Sequence, residues 1–303
     1  MSVATATARR VTEATALTGR SKDRNVRSIL FLVALWFSLF FGVMVLAVLI
    51  IDTAIEGSSR FDAALLTEYA SRVRPESTGF RAGILGTVWL MGVTAVLAVP
   101  LGIAAAVYFE EFADNRRWYN RVLEVNLQNL AAVPAIVYGL LAVAVMAVLG
   151  FSETGTALGG GLALALLILP VIVITTREAL RAVPDDIRQG SLALGATVWQ
   201  TTWRQTLPSS VPGIATGTIL GLSRAIGEAA PLIVVGLAGS LRFDPTGVMS
   251  PITALPMQIY SLTSQSQEDL RVAASAGIIV LLVMVLSLNA LAIVIRNKFQ
   301  RSW

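Results

Sequence analysis

The sequence predicts an all-α membrane protein with six transmembrane helices, on three observations. Of its 303 residues, 55% are hydrophobic and only 14% charged, against roughly 25% charged in soluble domains. Uncharged apolar stretches recur that are long enough to cross a hydrocarbon core of about 30 Å as helices rising about 1.5 Å per residue. Lys and Arg collect on alternate connecting segments, the topology signal of a multi-pass membrane protein. The formal charge of +4 raises nucleic acid as a partner. The basic residues, however, are spread over separate segments instead of forming one patch or stripe, so no nucleic-acid role is expected.

Residues 1–28 are rich in Ala, Thr and Arg without apolar periodicity, and they read as a disordered tail or as a contact with anionic lipid. Residues 29–51 are 23 positions without a charge. This stretch is too long for a signal-peptide core, and Asp52, Glu56 and Arg60 follow it in place of a cleavage site, so it is expected to remain as the first transmembrane helix. In segment 52–80, Phe61, Leu65, Leu66 and Tyr69 recur at helical spacing, which predicts a short helix lying on the outer surface. The remaining spans are expected at 83–109, 127–149, 161–176, 212–238 and 272–295 within a transmembrane domain covering 81–303.

Placing both termini in the cytoplasm puts 16 of the 23 basic residues inside: six before Ile29, then Arg116, Arg117 and Arg121, then Arg177, Arg181, Arg188 and Arg204, then Arg296, Lys298 and Arg301. Six lie outside, namely Arg60, Arg72, Arg74, Arg81, Arg242 and Arg271, and Arg224 falls within the fifth span. That bias orients the protein.

The chain has no cysteine and no histidine. Thiol nucleophiles, imidazole bases and the usual zinc, haem and iron–sulfur ligands are therefore missing, and no metal or cofactor is expected. A Gly-x-x-x-x-Gly-Lys-Ser/Thr loop is also absent, so ATP-driven work requires another subunit. Glu228 is the one acid well inside an expected span, which argues against a carboxylate-pair mechanism. The expected role is non-catalytic transport.

Segment 177–208 reads as helix, Gly, helix. Pro184 suits a first helical position, Asp185 and Asp186 suit the positive end of the helix dipole, and Gly195 suits a break. Ile187, Leu194 and Val198 fall on one apolar face. Such a pair either packs on its own bundle, lies among the headgroups with Trp199 and Trp203 as anchors, or docks on a partner. The run QGSLALGATVWQTTWRQTLP from Gln189 to Pro208 resembles the EAA loop of ABC importer permeases. Gly195, Leu207 and Pro208 match its spacing, while Gln189, Gly190 and Ser191 replace Glu-Ala-Ala and Gln205 replaces Ile. The resemblance implies a cytoplasmic coupling loop that fits an ATPase subunit through Asp185, Arg188, Gln189, Gly195, Ala196, Trp199 and Pro208.

Further stretches are similar to phosphate-specific transport permeases of the PstA type: VPLGIAAAVYFEEF at 99–112, NLAAVPAIVYGL at 129–140, LSRAIGEAAPLI at 222–233, and LPMQIYS followed by LNALAIVIRNKFQ. Their order along 83–300 carries the resemblance, and it implies a type I ABC importer permease. Pro100 and Pro134 kink membrane helices. Tyr138, four residues after Pro134, offers its hydroxyl either to a translocation path or to a packed interface. Gly213, Gly217 and Gly221 make a smooth ridge for close helix approach, and Arg224 and Glu228 are expected to continue along it. A charge near the centre of a membrane helix costs about 2.5–3.5 kcal/mol on insertion scales, so both should face protein or water. They form a self-neutralising pair, or Arg224 meets an anion while Glu228 keeps that attraction weak enough for release. The resemblance favours phosphate passage, since the family's membrane Arg and Glu match these positions.

The resemblance further implies a bacterial inner-membrane protein that works with a second, PstC-like permease, a PstB-like ATPase in two copies and a PstS-like external phosphate-binding protein. Another oxyanion, sulfate or molybdate, is the nearest alternative substrate. An ion-coupled secondary transporter would be expected to show an internal repeat with interrupted helices in both halves, and the sequence shows none. Single cysteines at Ser2, Asn115 and Ser58 test the topology with an impermeant thiol reagent on intact cells. Ser58 is expected to label and the other two are not; labelling of Asn115 without Ser58 would reject the orientation.

Overall fold

The computed structural model describes residues 26–114 and 117–299. The expected tail is outside the described residues up to position 25, as are Asn115, Arg116 and residues 300–303. Two units divide at Asp52 and Thr53, and each is described by itself. In the first unit the chain is the opening part of α1, Val26–Gly57. This helix overruns the expected 29–51, since no proline interrupts it and it continues through Gly42 to Gly57.

In the second unit, residues 58–80 fold as a cap and not as the expected surface helix. The only α-helical turn is Ala64–Thr67, flanked by 3-10 turns at Ser58–Arg60 and Pro75–Ser77. The chain doubles back tightly at Gly79, where a Cβ would lie 2.3 Å from the Ala64 carbonyl oxygen. Arg60 is buried and donates to the carbonyls of Pro75 at 2.7 Å and Thr78 at 2.8 Å. Asp244 ties the cap to a distant loop, accepting from Tyr69 at 3.1 Å and from Arg81 at 2.6 Å. The hydrogen bond from Arg81 holds the Asp244 carboxyl below its usual range. Any stabilisation from this contact is present above the ordinary carboxylate pKa and is lost as pH falls through the lowered one.

Helix α2, Arg81–Val107, opens into a π-turn at Tyr108–Phe112. The third expected span is broken. Helices α3, Trp118–Leu130, and α4, Ala135–Val148, meet at 116°. Pro134 has no amide to give Leu130, so the expected kink becomes a full turn. Helix α5, Ala157–Arg181, is longer than the expected 161–176 and is the most buried crossing helix. Its first-turn amides are satisfied from outside: Ala157 and Leu158 donate to the carbonyls of Ser250 and Val248, and Thr156 caps Gly159.

After α6, Asp185–Ala193, and the short α7, Val198–Thr201, a π-turn at Thr202–Thr206 leads into α8, Leu207–Ile226. The fifth expected span is also broken, because α8 stops before Gly227–Ala229 and α9 covers only Ala230–Val235. Pro231 removes the amide that would have reached the Gly227 carbonyl. Helices α10, Leu255–Thr263, and α11, Glu268–Phe299, complete the fold. Among the described residues, four helices are long and apolar enough to cross a membrane, and the α3–α4 pair adds a fifth if it is counted as one span. The all-helical membrane fold is as expected, and the expected count of six spans is not matched exactly, because the third and fifth segments are interrupted.

The core is organised on α5. On one side it meets α2, where a Cβ at Gly161 would lie 2.4 Å from Val93 and one at Gly102 would lie 2.6 Å from Ile172. On the other side it meets α8. A second apolar cluster, around Phe80, Leu255 and Leu270, joins α2, α10 and α11. At Gly86 a Cβ would sit 1.9 Å from the Thr253 carbonyl oxygen, whereas at Gly92 it meets nothing within 4 Å. Gly86→Ala is thus expected to lower the thermal midpoint of the detergent-solubilised protein, at a cost of about 1–3 kcal/mol. Gly92→Ala should leave the midpoint unchanged or raise it.

Candidate functional site

The connection between α5 and α8 is built from two local motifs. Helix α6 ends in a Schellman turn: Gly195 has φ +86°, its amide donates to Leu192, and the Ala196 amide donates to Ser191. Helix α7 then starts with a capping box in which Thr197 and Gln200 satisfy each other's amides at 3.2 and 2.9 Å. The hydroxyls of Ser191 and Thr201, 2.9 Å apart, pin the two helices together. No neighbour comes within 4 Å of a Cβ on Gly195, so the glycine is needed for its left-handed backbone and not for space.

No residue of α6 is buried. Gln189, Gly195 and Leu194 face outward, Leu194 being 91% exposed. Leu194 therefore does not join Ile187 in an internal apolar face. Asp185 is also exposed, Ala196 is half-buried, and Pro208 sits in the first turn of α8. Two residues expected on the docking surface also make contacts within the chain. Trp199 packs beside Phe112, with ring centres 5.8 Å apart, and beside Trp203 at 5.4 Å, edging an apolar groove of about 690 Å³ with Pro100 and Leu207. Arg188 turns inward, its guanidinium held by Glu111, Asp185 and the carbonyls of Leu180 and Val183.

Behind Arg188 lies an ion network that the sequence reading did not assemble. Glu110 pairs with Arg177 at 3.2 Å and Arg181 at 2.7 Å, and Arg177 also reaches Glu124 at 2.8 Å. The π-turn at the end of α2 presents Glu110 and Glu111 to these two sets of arginines. Arg177 and Arg181 had counted only as topology charges. The i, i+4 spacing that aims both at one acid was visible, but their partner lies 67 residues before Arg177.

In α8 the glycines face α5. A Cβ at Gly213 would lie 2.6 Å from that of Ala179, one at Gly217 would lie 2.1 Å from the Thr175 hydroxyl, and one at Gly221 would touch Ile172 at 3.5 Å. Buried Ala225 continues this ridge and Arg224 does not, which corrects the expectation that packing and charge share a face. Arg224 is exposed in the last turn of α8, and Glu228 is half-buried in the break that follows. Among the described residues no ion pair joins the two. Beside them, the Ser223 hydroxyl bonds Asn289 of α11.

Tyr138 is buried, and its hydroxyl donates to the Leu130 carbonyl, which lacks a Pro134 amide and also accepts from the Val133 amide. It bridges the α3–α4 bend.

The model of the family described as binding-protein-dependent transport system inner membrane component matches residues 98–302. Among curated proteins, the chain is 39% identical over 222 residues to phosphate transport system permease protein PstA 1 of Mycobacterium tuberculosis, covering 72% of this chain and 70% of that one. It is 32% identical over 289 residues to the protein PstA of Yersinia pestis, covering 94% and 96%. Among solved structures, a bacterial alginate ABC transporter in complex with an alginate pentasaccharide-bound periplasmic protein superposes with a TM-score of 0.65 at 17% identity, over 90% of this chain and 96% of that one. That likeness is one of fold.

If the Tyr138 hydroxyl serves the bend, Tyr138→Phe removes one of the two donors to the Leu130 carbonyl, a loss of about 0.5–1.5 kcal/mol. A lower thermal midpoint in detergent is expected. An unchanged midpoint with impaired transport would instead place the hydroxyl in the pathway.

Proposed function

The chain belongs to the family of binding-protein-dependent transport system inner membrane components, and we propose that it is the permease subunit of an ATP-driven importer of inorganic phosphate, supplying half of the translocation pathway. The reading rests on the relatives named as phosphate transport system permeases, one of them aligned over nearly the whole chain. Its site is the α8–α9 break, where Arg224 is an exposed cation in a helix of otherwise small and apolar residues. Phosphate carries between about one and two negative charges near neutral pH. The carbonyls of the last turn of α8 direct partial negative charge at the break, and Arg224 offsets them with a planar fork suited to oxyanions. Glu228, close by, limits how tightly an anion is held, so that it can leave.

The protein is multi-pass in the bacterial inner membrane, and in this proposal both termini and the 177–208 loop are cytoplasmic. The α6–Gly195–α7 pair docks on one copy of a two-copy ATPase through Gln189, Gly195 and its exposed neighbours. A second permease completes the path, and an extracytoplasmic phosphate-binding protein delivers the substrate. The chain itself carries out no covalent chemistry.

Two measurements check this. Arg224→Gln is expected to abolish uptake of labelled phosphate with the ATPase still co-purifying, and Arg224→Lys to retain a fraction. Because no ion pair joins Arg224 to Glu228, adding Glu228→Gln to Arg224→Gln should not restore uptake; full recovery would assign the charges to structure and reject their role in passage. For the loop, Gly195→Val is expected to abolish ATPase co-purification and uptake, whereas Gly195→Asn, which tolerates left-handed backbone, should retain both. Equal activity of the two variants would reject the docking assignment.

A further inference from the structure

Helix α6 has no buried residue, so its attachment to the membrane helices does not come from an apolar face. The chain joins it to α5, the Ser191–Thr201 hydroxyl pair joins it to α7, and the remaining connection is the Arg188 guanidinium. One of its terminal nitrogens donates to the Leu180 carbonyl at 2.8 Å and to Glu111 at 3.0 Å. The other donates to Asp185 at 3.1 Å and to the Val183 carbonyl at 3.3 Å. Leu180 lies in the last turn of α5 and Val183 in the link that follows, so Arg188 is bound to the backbone at the end of α5 as well as to α2. Glu111, whose side chain is only 9% exposed, lies in the π-turn that closes α2. The preceding residue, Glu110, grips Arg177 and Arg181 of α5. Arg188 thus fastens α6 to the ends of both α2 and α5.

We propose that Arg188 is a positioning residue for energy coupling. It does not meet the ATPase; it makes α6 move as one piece with α2 and α5, so that displacement of the loop by ATP turnover reaches the helices of the pathway. This inference rests on the proposed docking of the α6–α7 pair. Lysine replaces the planar fork with a single ammonium and can keep only part of this set of bonds. Glutamine at position 188 has no charge for Glu111.

The test uses the complete complex, with both permeases, the ATPase and the binding protein, reconstituted in vesicles and supplied with labelled phosphate. Phosphate moved per ATP hydrolysed is the readout, because a residue with a merely structural role would change the amount of complex and not this ratio. For Arg188→Gln the ATPase is expected to co-purify and hydrolyse ATP while the ratio falls about tenfold or more, the loss of one charged hydrogen-bond set. Arg188→Lys is expected to give an intermediate ratio. Glu111→Gln keeps the acceptor's size and leaves Arg188 on its carbonyls. It should lower the ratio too, and it carries the test should Arg188→Gln fail to accumulate. A parental ratio in both glutamine variants overturns the inference. So does loss of ATPase co-purification in Arg188→Gln with the permease still folded, since that would make Arg188 a docking contact. If no ATPase co-purifies with the unsubstituted chain, the docking reading itself fails before any substitution is made.

Discussion

In hydrocarbon, each backbone amide and carbonyl needs a partner within the protein, because water is not there to supply one. Several departures from continuous helix among the described residues are met by specific side-chain donors. The Tyr138 hydroxyl takes the Leu130 carbonyl at the α3–α4 bend, and the Thr154 hydroxyl takes the Val235 carbonyl at the end of α9. Gln258, fully buried, donates to Gly79, and Arg60 serves two carbonyls of the cap. Arg188 does the same for the end of α5. These side chains let the chain turn where backbone pairing is interrupted, beside the apolar packing of the helices.

Helix α5 is where the other constraints meet. Its small residues and those of its neighbours allow close approach on two sides, at Gly161 and Gly102 toward α2 and at Gly217 toward α8. Its far end carries Arg177, a charge that would be costly in an apolar setting but is enclosed by Glu110 and Glu124. The same helix that packs the bundle therefore ends in the ion network that holds the π-turn of α2. A shift of α5 is communicated to α2 through packing along its length and through paired charges at its end.

Much of this was legible in the sequence. The hydropathy identified the apolar segments, and the helix–Gly–helix pattern of 184–206 matches a structure in which Gly195 has the left-handed backbone its position called for. The breaks were not legible. Pro134 and Pro231 lie in apolar runs, and a proline within such a run is compatible with either a kinked continuous helix or a full turn. The choice depends on whether a donor such as Tyr138 stands four residues on and is directed back. Helix α5 was expected to be too short because Arg177 and Arg181 read as the end of a span. Only the approach of Glu110 from another helix makes the last turn of α5 tolerable. Asp185 and Arg188 share a face of α6 and bond each other, whereas Trp199 lies on α7 and turns toward Phe112.

The glycine ridge of α8 carries the same lesson into the proposed pathway. Residues 213, 217 and 221 are spaced by four, and a third step reaches Ala225, not Arg224. The continuation of the packed face is therefore uncharged, and the arginine is displaced to an exposed side. Insertion scales price a charged side chain by depth alone, but a position in the final turn before a helix break offers it open backbone and room. The absence of a bond between Arg224 and Glu228 among the described residues leaves each charge available to a third group. In a chain whose buried arginines, Arg60 and Arg177, are each bound on two sides, that availability sets Arg224 apart and fits a site that an anion enters and leaves.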